Sequence, residues 1–433
     1  MEDEKFDAIV VGAGPAGSAA AYTMAKAGMS VVVFERGDYP GAKNVMGGVL
    51  FREAVEGVFG KFWEEGAPLE RPVVDQRLWM LGQESVVTAG FRTQAFAAPP
   101  YNAFTVLRAQ LDPWFAKQAE DAGAYLITET QVTDLVFDDT GRVIGVRTGR
   151  EGDLFADVVI MAEGINAFAT VKAGLRRDFT MENAALAVKE IHALPPETIN
   201  DRFNLRDGEG ATILLLGEFS HDMMGSGFIY TNRDTLSVGV GAIVSHLVET
   251  KVRPNDVLDE MKKHPAVQPL LAGSEIKEYS AHLIPEVKYS ELPRPYGDGY
   301  MLVGDTAGYV NFLFQEGCNL AIASGGMAGR AAVEAWERKD YSAASLSTYQ
   351  QKLDDSFVLQ DLYELRNGPA FFRNHREFFG IYPRMLNQAA EDLLTVSGLS
   401  KKTVGMSILR DLHRQRPFWR VGKDMFDAVR AFI

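Results

Sequence analysis

Between residues 6 and 35 the chain reads as a strand (Phe6 to Val11), a glycine turn (Gly12-Ala13-Gly14-Pro15-Ala16-Gly17), a helix to Ala27 stopped at Gly28, a second strand (Ser30 to Phe34) and an acidic residue, Glu35. Strand, G-x-G-x-x-G, helix, strand and an acidic terminus about twenty residues on together form the β-α-β fingerprint of dinucleotide binding. The glycines allow a tight turn and a close backbone approach, and the helix start offers unpaired N–H groups and a positive dipole to a pyrophosphate. Glu35 is placed to accept ribose hydroxyls. A lone glycine triplet is often only a turn, but this ordered context makes a bound nucleotide the expectation.

The nucleotide's identity turns on the remainder of the chain. A helix is expected after Arg108, a turn at Asp138 to Gly141 and a buried strand from Asp157 to Met161. From about 180 to 290 β-branched and aromatic residues alternate, as in GFIYTNRDTLSVGVGAIV, which predicts an inserted antiparallel sheet. The chain then returns to an apolar strand, Tyr300 to Val303, followed by GDTAG and a helix from about Asn319 to Arg338, and it is mostly helical beyond Asp340.

An NAD dehydrogenase would continue into a catalytic domain, whereas this return to the cofactor is the pattern expected for FAD. Asp305, after Gly304, is placed to hydrogen-bond a ribityl chain; taken alone it also suits a turn or helix N-cap. The helix after Gly317, with Asn319 in its first turn, would point its dipole at the pyrimidine edge of a flavin, where reduction deposits negative charge. No catalytic side chain is then required.

The expected fold is thus α/β. A Rossmann-like FAD-binding domain of glutathione-reductase type comprises 1–75, 101–178 and 291–340, an inserted antiparallel-sheet substrate domain comprises 76–100 and 179–290, and a helical C-terminal region covers 341–433. Neither GSGFIY nor SGGMAG lies between a strand and a helix in the order a second nucleotide fingerprint needs.

A net charge of -14 argues against a nucleic-acid binder. The single cysteine, Cys318, forms no internal disulfide and by itself holds neither zinc nor an iron-sulfur cluster, which fits a reducing cytoplasm. At a helix start it is a possible reactive thiolate, weighed against the lack of a resolving partner. The acidic start and the absence of an apolar run of bilayer length predict no secretory signal and no spanning helix. Residues 366–433 carry twelve Lys or Arg against six Asp or Glu, so this tail is +6 and the rest -20. Its aromatics (Phe371, Phe372, Phe378, Phe379, Tyr382, Phe418, Trp419, Phe426) suit either an anionic membrane surface or acidic partner, or a solvated helical face on a packed core.

Fingerprint, GDTAG and the helix after it resemble the glutathione-reductase-like flavoproteins, which include aromatic hydroxylases, geranylgeranyl reductases and the electron-transfer flavoprotein:quinone oxidoreductases. Three further segments are similar to the quinone oxidoreductase branch and its FixC-like members. They are Gly41-Ala42-Lys43-Asn44 leading to Gly47-Gly48, the turn Ala162-Glu163-Gly164 (hydroxylases usually have Asp where Glu163 stands), and Gly225-Ser226-Gly227-Phe228-Ile229-Tyr230 with KHPAVQPLL downstream.

The resemblance implies FAD-dependent electron transfer from an electron-transfer flavoprotein, with its alpha and beta subunits, to a membrane quinone. It brings Arg36 beside Glu35 to the cofactor, Lys43, Gly47 and Gly48 to the isoalloxazine, Arg108 to the pyrophosphate side, Val132 to the adenine and Gly225, Ser226, Gly227 and Phe228 to the quinone head group. Ser226 stands where a second glycine is common, and this segment also suits a bulged strand. Single-chain relatives carry a C-terminal ferredoxin-like module with four cysteines; here the resemblance implies a [4Fe-4S] cluster on a separate small ferredoxin-like subunit, as in FixX-type systems. It also implies a cytoplasmic protein, peripheral on the inner face of the membrane. The alternatives are a geranylgeranyl reductase-like or aromatic-hydroxylase-like flavoenzyme using NAD(P)H, and a non-catalytic FAD relay subunit.

Overall fold

The computed structural model describes residues 5–42 and 47–432, which divide into two units. The first joins Met1–Leu69, Val106–Thr180 and Ile284–Arg366. Its sheet is built on apolar runs without alternation: Val31–Phe34 is buried at every position, as is Val158 to Met161. Such runs belong to parallel strands covered on both faces. Strands run in the order Tyr296–Gly297, Tyr300–Leu302, Gly152–Met161, Lys5–Val11, Val31–Phe34 and Tyr125–Ile127. Val132–Phe137 and Val143–Thr148 fold antiparallel onto Gly152–Met161.

The register matters most for function. Val11 aligns with Phe34 and with Met161, and Met161 with Leu302, so four parallel strands end on one edge. Gly12, Glu35, Ala162 and the Gly304–Ala307 turn all lie just past that edge, where ligands of open α/β sheets bind.

The Pro15–Lys26 helix packs on the long Cys318–Arg338 helix. The SGGMAG segment explains their closeness: a Cβ at Gly325 would come within 2.1 Å of the Ala16 carbonyl oxygen, and one at Gly329 within 2.7 Å of Thr23 Cβ. The motif is thus a helix-crossing surface.

The second unit joins Glu70–Thr105, Met181–Leu283 and Asn367–Ile433. Its sheet places Glu275–Pro285, Ala184–Ala193, Thr235–Ile243, Gly225–Thr231, Gly210–Gly217, Leu69–Leu81 and Ala103–Leu107 side by side, with Val86–Arg92 beside Leu69–Leu81. The pairs from Ala184–Ala193 to Gly210–Gly217 are antiparallel, as the alternation predicts. Gly210–Gly217 and Leu69–Leu81 are instead parallel, because over a hundred residues separate them and no hairpin constrains their direction. The tail is fastened to this sheet: Asn387 donates to the Met80 carbonyl (2.8 Å) and accepts from Ser85 (2.8 Å), and Arg384 pairs with Glu218 (2.7 Å).

Candidate functional site

The glycine turn is held from several sides. The Gly12 N–H donates to the Phe34 carbonyl (2.7 Å), and the Ser18 hydroxyl to the Ala13 carbonyl (3.1 Å). Gly12 adopts φ +103°, and a Cβ there would lie 2.3 Å from the Ala162 carbonyl oxygen. A Cβ at Gly17 would lie 1.8 Å from the Gly12 oxygen. Both positions therefore demand glycine for packing within the chain. Gly14 is different, because a Cβ there meets nothing within 4 Å and would project into open space. It caps a helix with no side-chain cap and no acidic residue in the first turn, leaving the terminal N–H groups to a ligand.

Glu35 is buried and accepts from Ala13 N–H (3.0 Å, Oε2) and Gly37 N–H (2.7 Å, Oε1). Two backbone donors fix its carboxylate, and each oxygen retains a lone pair for a ribose hydroxyl. Thr130 N–H donates to the Glu35 carbonyl (2.9 Å), which brings the chain leading to Val132 alongside; the Val132 side chain itself is in the core. Arg36 is exposed. Gly47 and Gly48 open the Gly47–Phe51 strand, with open space where a Gly48 Cβ would stand. Lys43 lies outside the described residues.

Deeper in the same unit, Arg108 makes a bidentate pair with the fully buried Asp112 (2.5 and 2.6 Å). Burial works to lower its pKa, yet Asp112 carries it above the ordinary arginine value. Asp305 comes directly after Gly304, whose N–H donates to Ser324 Oγ (3.1 Å). Among the described residues its carboxylate takes no hydrogen bond, and burial raises its pKa against the opposing pull of Arg108 and Arg176. The Cys318–Arg338 helix begins at Gly317 without a side-chain cap or an acidic first turn, and Asn319 Nδ2 donates to Glu316 (3.0 Å). Burial pushes the Cys318 thiol up to about 12, so it is no thiolate near neutral pH.

These groups fit the two ends of an FAD. An uncapped helix start and an oriented acid suit the ADP half, and the half-buried Asp305 carboxylate, which no described residue hydrogen-bonds, suits the polyol. When bound, FAD supplies the redox chemistry. The chain binds and orients.

Sequence reasoning missed the supports. Glu163 accepts from Ala169 N–H (2.9 Å), Thr170 N–H (3.0 Å) and the Thr170 hydroxyl (2.5 Å), fixing the turn that carries the Ala162 carbonyl against Gly12. The Thr306 hydroxyl donates to the Gly164 carbonyl (3.2 Å). A carboxylate six residues before an N–H pair was legible as a cap; the Thr306 contact spans 142 positions and was not.

In the second unit, Gly225–Thr231 is a regular strand without a bulge. A Cβ at Gly227 would lie 2.2 Å from Met261 Sδ and one at Gly225 2.5 Å from the Gly241 oxygen, so these glycines answer to packing. Ser226, Phe228 and Tyr230 point to the opposite face, where the Phe228 and Tyr230 rings stack at 4.8 Å.

Fold and site together define an FAD-dependent oxidoreductase with a Rossmann-like nucleotide domain. Residues 10–53 match the model of the NAD(P)-binding Rossmann-like domain, and 368–433 that of the ETF-QO/FixC family C-terminal domain. The chain is 45% identical to protein FixC of Bradyrhizobium diazoefficiens over the whole of both chains. It is 40% identical to the probable electron transfer flavoprotein-quinone oxidoreductase YdiS of Escherichia coli, covering 94% of this chain and 95% of the relative. A geranylgeranyl bacteriochlorophyll reductase-like protein of Thermoplasma acidophilum shares the fold, with a TM-score of 0.73 and 20% identity over 96% of this chain and 97% of that one. The chain belongs to the FixC family of electron-transfer-flavoprotein:quinone-oxidoreductase-like proteins.

Proposed function

We propose that the protein takes electrons from an electron-transfer flavoprotein of alpha and beta subunits and passes them to a membrane quinone, using FAD held between the Gly12–Gly17 turn and Asp305. The observation that carries this reading is the full-length similarity at 40% identity to a protein named as such an oxidoreductase. Cys318 alone cannot ligate a [4Fe-4S] cluster, and a separate ferredoxin-like subunit is proposed to carry any cluster in the path. The quinone head group is proposed to rest at Gly225 to Phe228, on the strand face that presents Ser226, Phe228 and Tyr230.

No helix among the described residues is long and apolar enough to cross a membrane. Quinone access then calls for docking at the inner face of the cytoplasmic membrane, and the exposed Phe418–Phe432 helix is the proposed contact. Trp419, Lys423, Phe426 and Arg430 share one of its faces by helical period, mixing aromatic and basic groups as interfacial helices do.

The test is anaerobic. FAD-loaded protein, a ferredoxin-like subunit and reduced electron-transfer flavoprotein are mixed with a soluble quinone, and quinol is monitored by absorbance. Quinol that requires all the proteins supports the proposal; rapid flavin bleaching by NAD(P)H alone would favour a reductase or hydroxylase instead. Flavin oxidation without quinol would leave a relay subunit.

A further inference from the structure

Two residues apart on the Ala184–Ala193 strand, Glu190 and His192 share one face, and the Pro254–Lys263 helix that packs there brings Lys262 to them. Glu190 and His192 are buried. His192 Nε2 lies 2.8 Å from Glu190 Oε2, and His192 Nδ1 lies 2.8 Å from the Ser274 hydroxyl. Lys262 Nζ donates to both Glu190 oxygens (2.9 and 2.8 Å) and so fixes the carboxylate. Ser274 stands on the turn between the Gln268–Leu271 helix and the Glu275–Pro285 strand. That turn is pinned: Ser274 N–H donates to the Leu271 carbonyl (3.0 Å), and Arg202 donates to the carbonyls of Leu270 (2.9 Å) and Ala272 (2.7 Å). All of these residues belong to the second unit.

Bond by bond, the network decides where the protons sit. A carboxylate paired with an ammonium accepts only, so Nε2 of His192 carries the hydrogen that bridges to Glu190. In the neutral ring Nδ1 then holds the lone pair, and the Ser274 hydroxyl donates to it. Burial favours that neutral ring by lowering the His192 pKa, opposed by Glu190 and aided by Lys262. A serine whose proton points at an imidazole, with the imidazole oriented by an acid, is the arrangement of an activated nucleophile. It is also within reach of solvent, since Ser274 is half-buried and Ala272, Gly273 and Glu275 around it are exposed.

We infer that Ser274 is a nucleophile for acyl transfer, with His192 as its base and Glu190 as the group that orients the base, and that it takes small carboxylic esters with good leaving groups. Oγ attacks the ester carbonyl while its proton passes to Nδ1. The bond from the carbonyl carbon to the alcohol oxygen breaks, and the departing oxygen takes that proton from Nδ1. Glu190 keeps its charge throughout and stabilises the imidazolium formed in between. Water, deprotonated by the same base, then cleaves the acyl-Ser274 bond, releases the acid and returns the proton to Oγ. The open turn suits a small ester. A good leaving group is needed because Lys262 offsets part of the Glu190 charge that supports the imidazolium.

The full-length chain, treated at neutral pH with a fluorophosphonate probe, tests this: Oγ displaces fluoride from phosphorus, and peptide mass spectrometry maps the adduct. An adduct at Ser274 is expected, together with a burst of about one equivalent of p-nitrophenol from p-nitrophenyl acetate. Ser274→Ala abolishes both while keeping the wild-type melting temperature. His192→Gln slows labelling of Ser274 by about a hundredfold or more, the loss expected when a general base is removed. Urea removes labelling from the wild type, because only the folded network activates the serine. A folded wild type that stays unlabelled at Ser274, or equal labelling of Ser274 in His192→Gln or in urea, overturns the proposal. Should His192→Gln lose its fold, as its melting temperature reports, His192→Asn takes its place, and the wild-type comparison with and without urea stands independently of either variant.

Discussion

A methyl group separates two kinds of glycine in the fingerprint. At Gly12 it would meet the Ala162 carbonyl at 2.3 Å on a backbone with φ +103°, so Gly12→Ala should cost about 3 kcal/mol or more, read as a lower urea midpoint. At Gly14 it would stand in open space at φ -72°, so Gly14→Ala should keep the wild-type midpoint while weakening FAD uptake at least tenfold. Equal midpoints for the two variants would break the distinction between packing and ligand glycines. Cys318 makes a contrasting case: with its thiol at about 12, iodoacetamide should modify it very slowly at pH 8, and Cys318→Ala should leave flavin reduction intact. Much of this was legible in the sequence, because spacing alone joins Gly12 to Glu35. The Thr306 contact was not, since nothing local marks a hydroxyl whose partner is a carbonyl 142 residues back.

Among elements, the helices carry the less obvious dependencies. Gly325 sits where the Cys318–Arg338 helix touches Ala16, so Gly325→Val must spread two helices whose starts both face the proposed cofactor. Loss of bound flavin together with a melting temperature lowered by several degrees is expected, and a variant that keeps its flavin would deny that the crossing positions the site. In the second unit the Val244–Thr250 helix meets the tail through Glu249, which pairs with Arg376 (2.8 Å), and it carries the buried His246, which accepts from Met224 N–H (3.1 Å). Burial lowers its pKa to about 4, aided by Arg376 and Arg373 and opposed by Glu249. The folded value lies below the unfolded one, so stability is full above about pH 6.5 and falls as pH drops toward 4, by on the order of 2 kcal/mol. Urea midpoints at pH 7 and pH 5 check this, and His246→Asn, which keeps an acceptor for Met224, should flatten the difference. Strands were easier to anticipate than such contacts: unbroken apolar runs and alternation each report their own burial, whereas the parallel pairing of Gly210–Gly217 with Leu69–Leu81 depends on chain far from either strand.

For the molecule as a whole, the tail is where composition left two readings open and the structure divides them. Phe371, Phe372, Phe378 and Phe379 form a ring cluster with Phe432, and Tyr382 joins it through Phe378 (5.0 Å). Asp424 binds this layer together, accepting from Tyr382 and Arg416 (both 2.5 Å). Phe371 and Phe379 are buried and the other rings half-buried, so these aromatics pack on one another rather than face solvent. Phe418, Trp419 and Phe426 do face it: Trp419 is 66% and Phe426 61% exposed, beside Met425 and Val429, and Lys423 and Arg430 share their face. Composition could not sort them, because both groups lie on amphipathic helices and only tertiary packing says which side is covered. Sparing the ring layer and changing only the exposed face therefore isolates docking from folding. Trp419→Ser with Phe426→Ser should leave flavin content and melting temperature unchanged while cutting flotation with liposomes of anionic phospholipid at least tenfold. Lys423→Gln with Arg430→Gln should weaken binding mainly at low salt, since exposed charges attract a lipid surface only within a Debye length of about 10 Å at 0.1 M salt. Undiminished flotation in both double variants would move the membrane contact off this helix while leaving the flavin site as described.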